Sequence, residues 1–148
     1  VEGKILHSLT ETQDFAREFV QKLSPQENGA TVLGLYGDLG AGKTSFTQGI
    51  AQALGVSDAV VSPTFVIEKI YTLENQKFSH LVHIDAYRIE KVEEMLHLGW
   101  KEIISNKENL IIVEWPELID SIMPPHITIR LTHVSENERE VSIEYLND

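Results

Sequence analysis

The stretch Gly37-Asp38-Leu39-Gly40-Ala41-Gly42-Lys43-Thr44 decides how this chain folds. It reads G-x-x-x-x-G-K-T, the Walker A pattern, and lies between the apolar run Thr31-Val32-Leu33-Gly34-Leu35-Tyr36 and a helical pattern. Glycines in such a loop let backbone N–H groups converge on a phosphate, and the N-terminus of the following helix adds partial positive charge. Lys43 brings a cation to β and γ oxygens, and the Thr44 hydroxyl is a hard oxygen ligand for Mg²⁺. The expected nucleotide-contacting run is therefore Asp38, Leu39, Gly40, Ala41, Gly42, Lys43, Thr44 and Ser45.

Outward from the loop, residues Lys43 to about Leu54 are predicted helical. Phe46, Ile50, Ala53 and Leu54 share a face, and Gly55 stops the helix. Upstream, a short strand around Lys4 to Ser8 precedes a helix read as opening on a capping box, Thr10-x-x-Gln13, with an apolar stripe of Phe15, Phe19, Val20 and Leu23. Downstream, Ala59-Val60-Val61 leads through Ser62-Pro63-Thr64-Phe65 into a strand ending near Tyr71. That strand pairs across the turn Glu74-Asn75-Gln76 with another from Phe78 to Asp85. Val92 to Ile104 reads as helix broken at Gly99, and Leu110-Ile111-Ile112-Val113 as a strand buried on both faces. Ile127 to Thr132 and Glu140 to Tyr145, around Ser135-Glu136-Asn137-Glu138, read as a C-terminal hairpin. The expectation is a three-layer α/β fold: a P-loop NTPase-like mixed sheet with antiparallel strands added to a Walker A core, and ligand groups at the carboxyl ends of the central strands.

The 148 residues, 42% hydrophobic, suffice for one sizeable core, so residues 1–148 are read as a single domain. Twelve Lys and Arg against 23 Asp and Glu leave a formal charge of −11, which repels a phosphate backbone and argues against a strong direct grip on nucleic acid. Without cysteine there is no disulfide, thiolate metal site or cysteine nucleophile, which suits the cytoplasm. No apolar stretch approaches the ~18 residues of a membrane span, and Val1-Glu2 does not open a signal peptide. The expected chain is soluble and unexported.

Hydrolysis needs a carboxylate for Mg²⁺ and a group that orients water. Asp85 follows Leu81-Val82-His83-Ile84 and Glu114 follows Leu110 to Val113, so each is expected at the carboxyl end of a buried strand. His80, His83 and Asp85 do not make a zinc site, because His80 faces away from the other two on an extended strand; hydrogen-bonding core or edge histidines are expected. Ser62 and Thr64 are either ordinary turn residues around Pro63 or a hydroxyl loop placed to sense a γ-phosphate. Asn106-Lys107-Glu108-Asn109 approaches the guanine-selecting N-K-x-D signature but ends in Asn and precedes its strand, so it reads as a surface turn and adenine is the default. The four arginines, Arg17, Arg88, Arg130 and Arg139, are few for a small-molecule kinase, and Arg88 is the one placed near a catalytic motif. A kinase and a nucleotide-sensing module without turnover stay open beside the ATPase.

The ordered set G-D-L-G-A-G-K-T, S-P-T-F, H-I-D-A-Y-R and V-E-W-P-E resembles the TsaE (YjeE) family of bacterial P-loop ATPases over nearly the whole chain. The resemblance implies a part in making N6-threonylcarbamoyladenosine in tRNAs that read codons beginning with adenosine, beside TsaB, TsaD and TsaC, with ATP and Mg²⁺ as cofactors. It also implies roles for residues: Lys43 and Thr44 on phosphate and Mg²⁺, Glu114 completing the Mg²⁺ site, and Asp85 on the metal or the attacking water. Thr64 or Ser62 would serve as a switch hydroxyl, and the Thr10 to Thr12 segment would lie near the adenine. The implied partner is the TsaB–TsaD complex, which the −11 charge fits in a helper that does not itself grip tRNA.

Overall fold

The computed structural model describes residues 3–38, 40–56 and 67–146. Their strands form one seven-stranded mixed sheet in the order β1-β7-β6-β2-β5-β4-β3: β1 Lys4–Leu6, β2 Thr31–Tyr36, β3 Glu68–Thr72, β4 His80–Asp85, β5 Asn109–Glu114, β6 Ile127–His133 and β7 Arg139–Glu144. The four central strands β6, β2, β5 and β4 run parallel to one another. The edges are antiparallel, β3 on β4 and β7 on β6 with β1 outside it. The expected mixed sheet on a Walker A core is therefore the observed one.

Alternation along the strands builds the layers. Leu33, Leu35, Leu110 and Ile112 face one side, where α1 (Leu9–Gln21) and α2 (Lys43–Ala53) cover them with Phe19, Phe46 and Ile50. Val32, Ile111 and Val113 face the other, against Met95 of α3 (Glu93–His97), Trp100 of α4 (Trp100–Ser105) and Ile119 of a 3₁₀ segment, Pro116–Ile122. All six residues of β5 are buried, as a continuous apolar run at the sheet centre requires. Gly99, with φ +81, makes the expected break between α3 and α4.

Gly49 lets α1 and α2 approach closely: a Cβ there would meet the Gln13 carbonyl oxygen at 2.4 Å and Ala16 Cβ at 2.9 Å. The start of α1 differs from expectation. Ser8, not Thr10, is the N-cap, its hydroxyl accepting the Glu11 N–H at 3.1 Å while Glu11 Oε1 accepts the His7 N–H at 3.2 Å. The Ser8-x-x-Glu11 box lies two residues earlier than the one read from sequence and ends β1 at Leu6, because a Glu at the third helical position reaches back to an orphan N–H. Ala59 to Phe65, including the expected switch residues Ser62 and Thr64, lie outside the described residues, as does Leu39 of the loop.

Candidate nucleotide site

β2 delivers the chain to the phosphate loop and α2 leaves from it. Gly37 has φ +153, and a Cβ on it would stand 2.5 Å from the Leu131 carbonyl oxygen, so the loop turns tightly against β6. Gly42 is the N-cap of α2 at φ +104, without a side-chain cap, and no acidic residue occupies the first turn. The amides at that helix start thus face no competing anion of their own helix, in contrast to the Ser8-capped α1. Lys43 is the first residue of α2 and is buried; its Nζ donates to the Gly37 carbonyl at 2.5 Å and lies 3.4 Å from the centroid of the Trp115 ring.

Parallel pairing of β4 with β5 puts Asp85 opposite Glu114 in register. Each shares strand parity with residues of the α2-side core, Leu81 and Leu110, so both carboxylates end their strands beside the phosphate loop. Asp85 is 8% exposed and Glu114 3%. Burial raises the Asp85 pKa, a tendency opposed by the Tyr87 N–H that Oδ1 accepts at 3.0 Å and reinforced by Glu114. Burial also lowers the Lys43 pKa, against the pull of Glu114, Glu117, Asp85 and Asp38. Two carboxylates and one ammonium thus share a buried corner, and burial disfavours the charged forms of Asp85 and Lys43.

A cleft of about 400 Å³ opens over this corner, walled by Leu9, Lys43, Thr44, Asp85, Glu114 and Trp115 among others. A second cleft, of about 410 Å³, shares Leu9 and runs between the β1–α1 junction and the β6–β7 turn, where Arg139 lies. Gly40, Gly42, Lys43, Thr44, Ser45, Asp85 and Glu114 thus meet in one space. Asp38 is exposed at the loop's edge and Ala41 is buried, its N–H on the Asp38 carbonyl at 3.0 Å. Thr10 is exposed on α1, while Thr12 is buried with its hydroxyl on the Ser8 carbonyl at 3.2 Å; Leu9 is the residue of that segment which lines the cleft.

The family model for the threonylcarbamoyl adenosine biosynthesis protein TsaE matches residues 6–141. The chain belongs to the TsaE family. The tRNA threonylcarbamoyladenosine biosynthesis protein TsaE of Rickettsia typhi is 38% identical over 144 residues, 96% of this chain and 94% of that relative. The TsaE protein of Bacillus subtilis is 41% identical over 112 residues, 75% of this chain and 67% of its own. The crystal structure of Bacillus subtilis YdiB superposes with a TM-score of 0.72 at 29% identity, covering 98% of this chain and 85% of that one. TsaE membership makes this a P-loop ATPase-type protein of tRNA threonylcarbamoyladenosine biosynthesis, with the nucleotide binding general to the family.

Three features of this TsaE site escaped the sequence reading. Arg88 lines the cleft, but it is not the only arginine near the phosphate loop: Arg139 Nε donates to the Gly40 carbonyl at 3.1 Å. No local signal marks Arg139, which reaches the loop because β7 lies beyond β6. His83, expected as a hydrogen-bonding histidine, bonds Glu114 through Nε2 at 2.5 Å, a contact that strand parity alone foreshadows. Trp115 holds φ +60, unusual outside glycine, which turns its ring over Lys43. Among the described residues no group of three His, Cys, Asp or Glu forms a metal cage, and no helix is long and apolar enough to cross a membrane.

Proposed function

We propose that the chain binds ATP with Mg²⁺ in this cleft and hydrolyses it in support of tRNA threonylcarbamoyladenosine synthesis, as a single P-loop ATPase domain working in the cytoplasm on the TsaB–TsaD complex. The observation that carries this reading is the convergence of Lys43, Asp85 and Glu114 at the uncapped start of α2. Loop residues Asp38 to Ser45 supply N–H groups to the phosphates and Lys43 balances charge on the β and γ oxygens. Thr44 and Glu114 would hold the Mg²⁺. This donor set suits that ion: hard oxygens on a partial shell, for a cation that keeps waters and takes phosphate oxygens instead of a full protein cage. Bound there, the ion supplies charge neutralisation across the β and γ phosphates.

Hydrolysis joins a water oxygen to the γ-phosphorus as the bond to the bridging oxygen breaks. Asp85, more basic than an exposed aspartate because it is buried, orients that water and receives its proton. Thr64, outside the described residues, is assigned the switch hydroxyl facing the γ-phosphate. The base extends past Leu9 toward Arg139 into the neighbouring cleft, with the helix start around Thr10 and Thr12 behind it. A −11 chain offers tRNA no electrostatic attraction, which favours action through protein partners.

Tyr87 and Arg88 are exposed beside the cleft, so an isolated chain leaves the phosphates open to water and is expected to turn over slowly. The test is phosphate release and pull-down with purified TsaB–TsaD in ATP, ADP and no nucleotide. Nucleotide-dependent docking and faster release support the reading; equal docking in all three states with no rate change rejects it. A phosphorylated small-molecule acceptor would point to a kinase instead.

A further inference from the structure

We infer that His83 is a positioning residue for Glu114: it fixes the plane of the carboxylate that meets the metal, without touching nucleotide or metal itself. This deepens the ATP–Mg²⁺ reading and rests on it.

His83 is 1% exposed, in the middle of β4, yet it shares a face with a layer of Leu and Ile. A buried polar ring at such a position costs stability unless a partner repays it. Its register partner on β5 is Ile112, two residues before Glu114, and from there Nε2 reaches diagonally to Glu114 Oε2 at 2.5 Å. Among the described residues Nδ1 has no partner. That pattern suits the Nε2–H tautomer: the one proton points at the carboxylate, and the bare Nδ1 is left in the apolar layer, which costs less than burying an unpaired N–H. Among the described residues His83 therefore makes one side-chain hydrogen bond, and it is to Glu114.

The plane of a glutamate carboxyl is set by rotation about its terminal Cγ–Cδ bond, which is broad and weakly restricted. Fixing one oxygen on a ring that is itself locked in a packed strand removes that freedom. Asp85, the other carboxylate in the corner, is held instead by the Tyr87 N–H. Each acid thus has its own donor, one a backbone amide and the other His83. His80, on the opposite parity of the same strand, has no such role, which separates the two histidines by geometry alone.

The test compares wild type, His83→Gln and His83→Leu as full chains. Gln can place an N–H near the Nε2 position; Leu keeps the bulk and removes the donor. ADP affinity is measured in EDTA and then across a Mg²⁺ series. All three variants are expected to bind ADP in EDTA within about twofold, because the phosphate loop is untouched. His83→Leu is expected to need about tenfold more Mg²⁺ for its half-maximal effect, and His83→Gln to recover most of that loss. Wild-type Mg²⁺ dependence in folded His83→Leu overturns the inference, and so does equal impairment of Gln and Leu, which would mean that ring shape alone matters. Should His83→Leu fail to fold, ¹⁵N imidazole spectra of the wild-type chain decide. An Nε2–H tautomer whose shift responds to ADP with Mg²⁺ but not to ADP in EDTA supports the inference; an Nδ1–H tautomer or no response to Mg²⁺ overturns it. A wild-type chain that binds no nucleotide even in EDTA would overturn the nucleotide reading together with this one, whereas the other negative outcomes strike this one alone.

Discussion

Lys43 Nζ lies 3.4 Å from the centroid of the Trp115 ring, so the ammonium of the phosphate loop rests on an aromatic face. Tyr87 packs against that indole, ring centroids 5.2 Å apart. A phosphate that draws the ammonium toward its oxygens changes the field on the ring. The other tryptophan, Trp100, is fully buried in the core beside Met95 and Ile119, with Nε1 on the Ile122 carbonyl at 2.9 Å. Nucleotide is therefore expected to change tryptophan emission, and Trp115→Phe to abolish the change while nucleotide affinity stays within about fivefold, or ~1 kcal/mol. Titration of both chains checks this; a response surviving in Trp115→Phe contradicts it.

Lys43→Met keeps the apolar stem and removes the charge. Nucleotide affinity is expected to fall at least about tenfold, or ~1.4 kcal/mol, measured by calorimetry. Burial already lowers the Lys43 pKa, so its charge opposes folding below the folded-state pKa, an effect that fades as pH rises toward the ordinary lysine range. The nucleotide-free variant is accordingly expected to melt no lower than wild type at neutral pH. Unchanged nucleotide affinity in a folded variant would sink the phosphate-loop assignment.

Glu114→Gln preserves shape, and the Gln oxygen still accepts from His83. Nucleotide binding in EDTA should persist, while partner-stimulated phosphate release drops at least about tenfold. Wild-type release rates would make Glu114 a structural residue.

Asp85→Asn carries a pH signature. The folded-state pKa is raised, so the folded chain holds the proton more tightly than the unfolded chain. The stability this contributes is complete below the ordinary value of 3.8 and is lost as pH rises through the folded-state pKa. At neutral pH the ionised aspartate is a cost, which Asn removes while its Oδ1 still accepts the Tyr87 N–H. The nucleotide-free variant is expected to melt above wild type at pH 7, with the gap closing as pH falls to about 4. Thermal melts across pH read this, and a pH-independent gap speaks against it.

Arg139→Ala releases the Gly40 carbonyl and the β6–β7 turn, whose Ser135 carbonyl the guanidinium also holds at 3.0 Å. Nucleotide affinity is expected to weaken about three- to tenfold, with stability changed by no more than ~1 kcal/mol because the side chain is only half-buried. A loss of the same size for ATP and for inorganic triphosphate would place the effect on the loop; a loss confined to ATP would place it on the base.

Much of this was legible because the signals are local. The apolar run Thr31 to Tyr36 is β2 residue for residue, and carboxylates that terminate buried strands can be recognised from the runs before them. Ser8 was missed since two overlapping boxes, Ser8-x-x-Glu11 and Thr10-x-x-Gln13, differ only in which side chain reaches an orphan N–H. Arg139 and the His83–Glu114 contact depend on strand order and diagonal reach, which no window of sequence contains. The positive φ at Trp115, which lays the ring over Lys43, has no signal in the residues around it.

The register that sets Asp85 beside Glu114 also bears on quality control. A slip of β4 or β5 by one residue would turn the acid out of the corner and, in the same movement, exchange the two faces of that strand's apolar side chains. A one-residue slip therefore cannot break the site and spare the core. Nucleotide binding by a preparation of this protein is therefore expected to fall with the fraction of molecules whose central strands are one residue out of register.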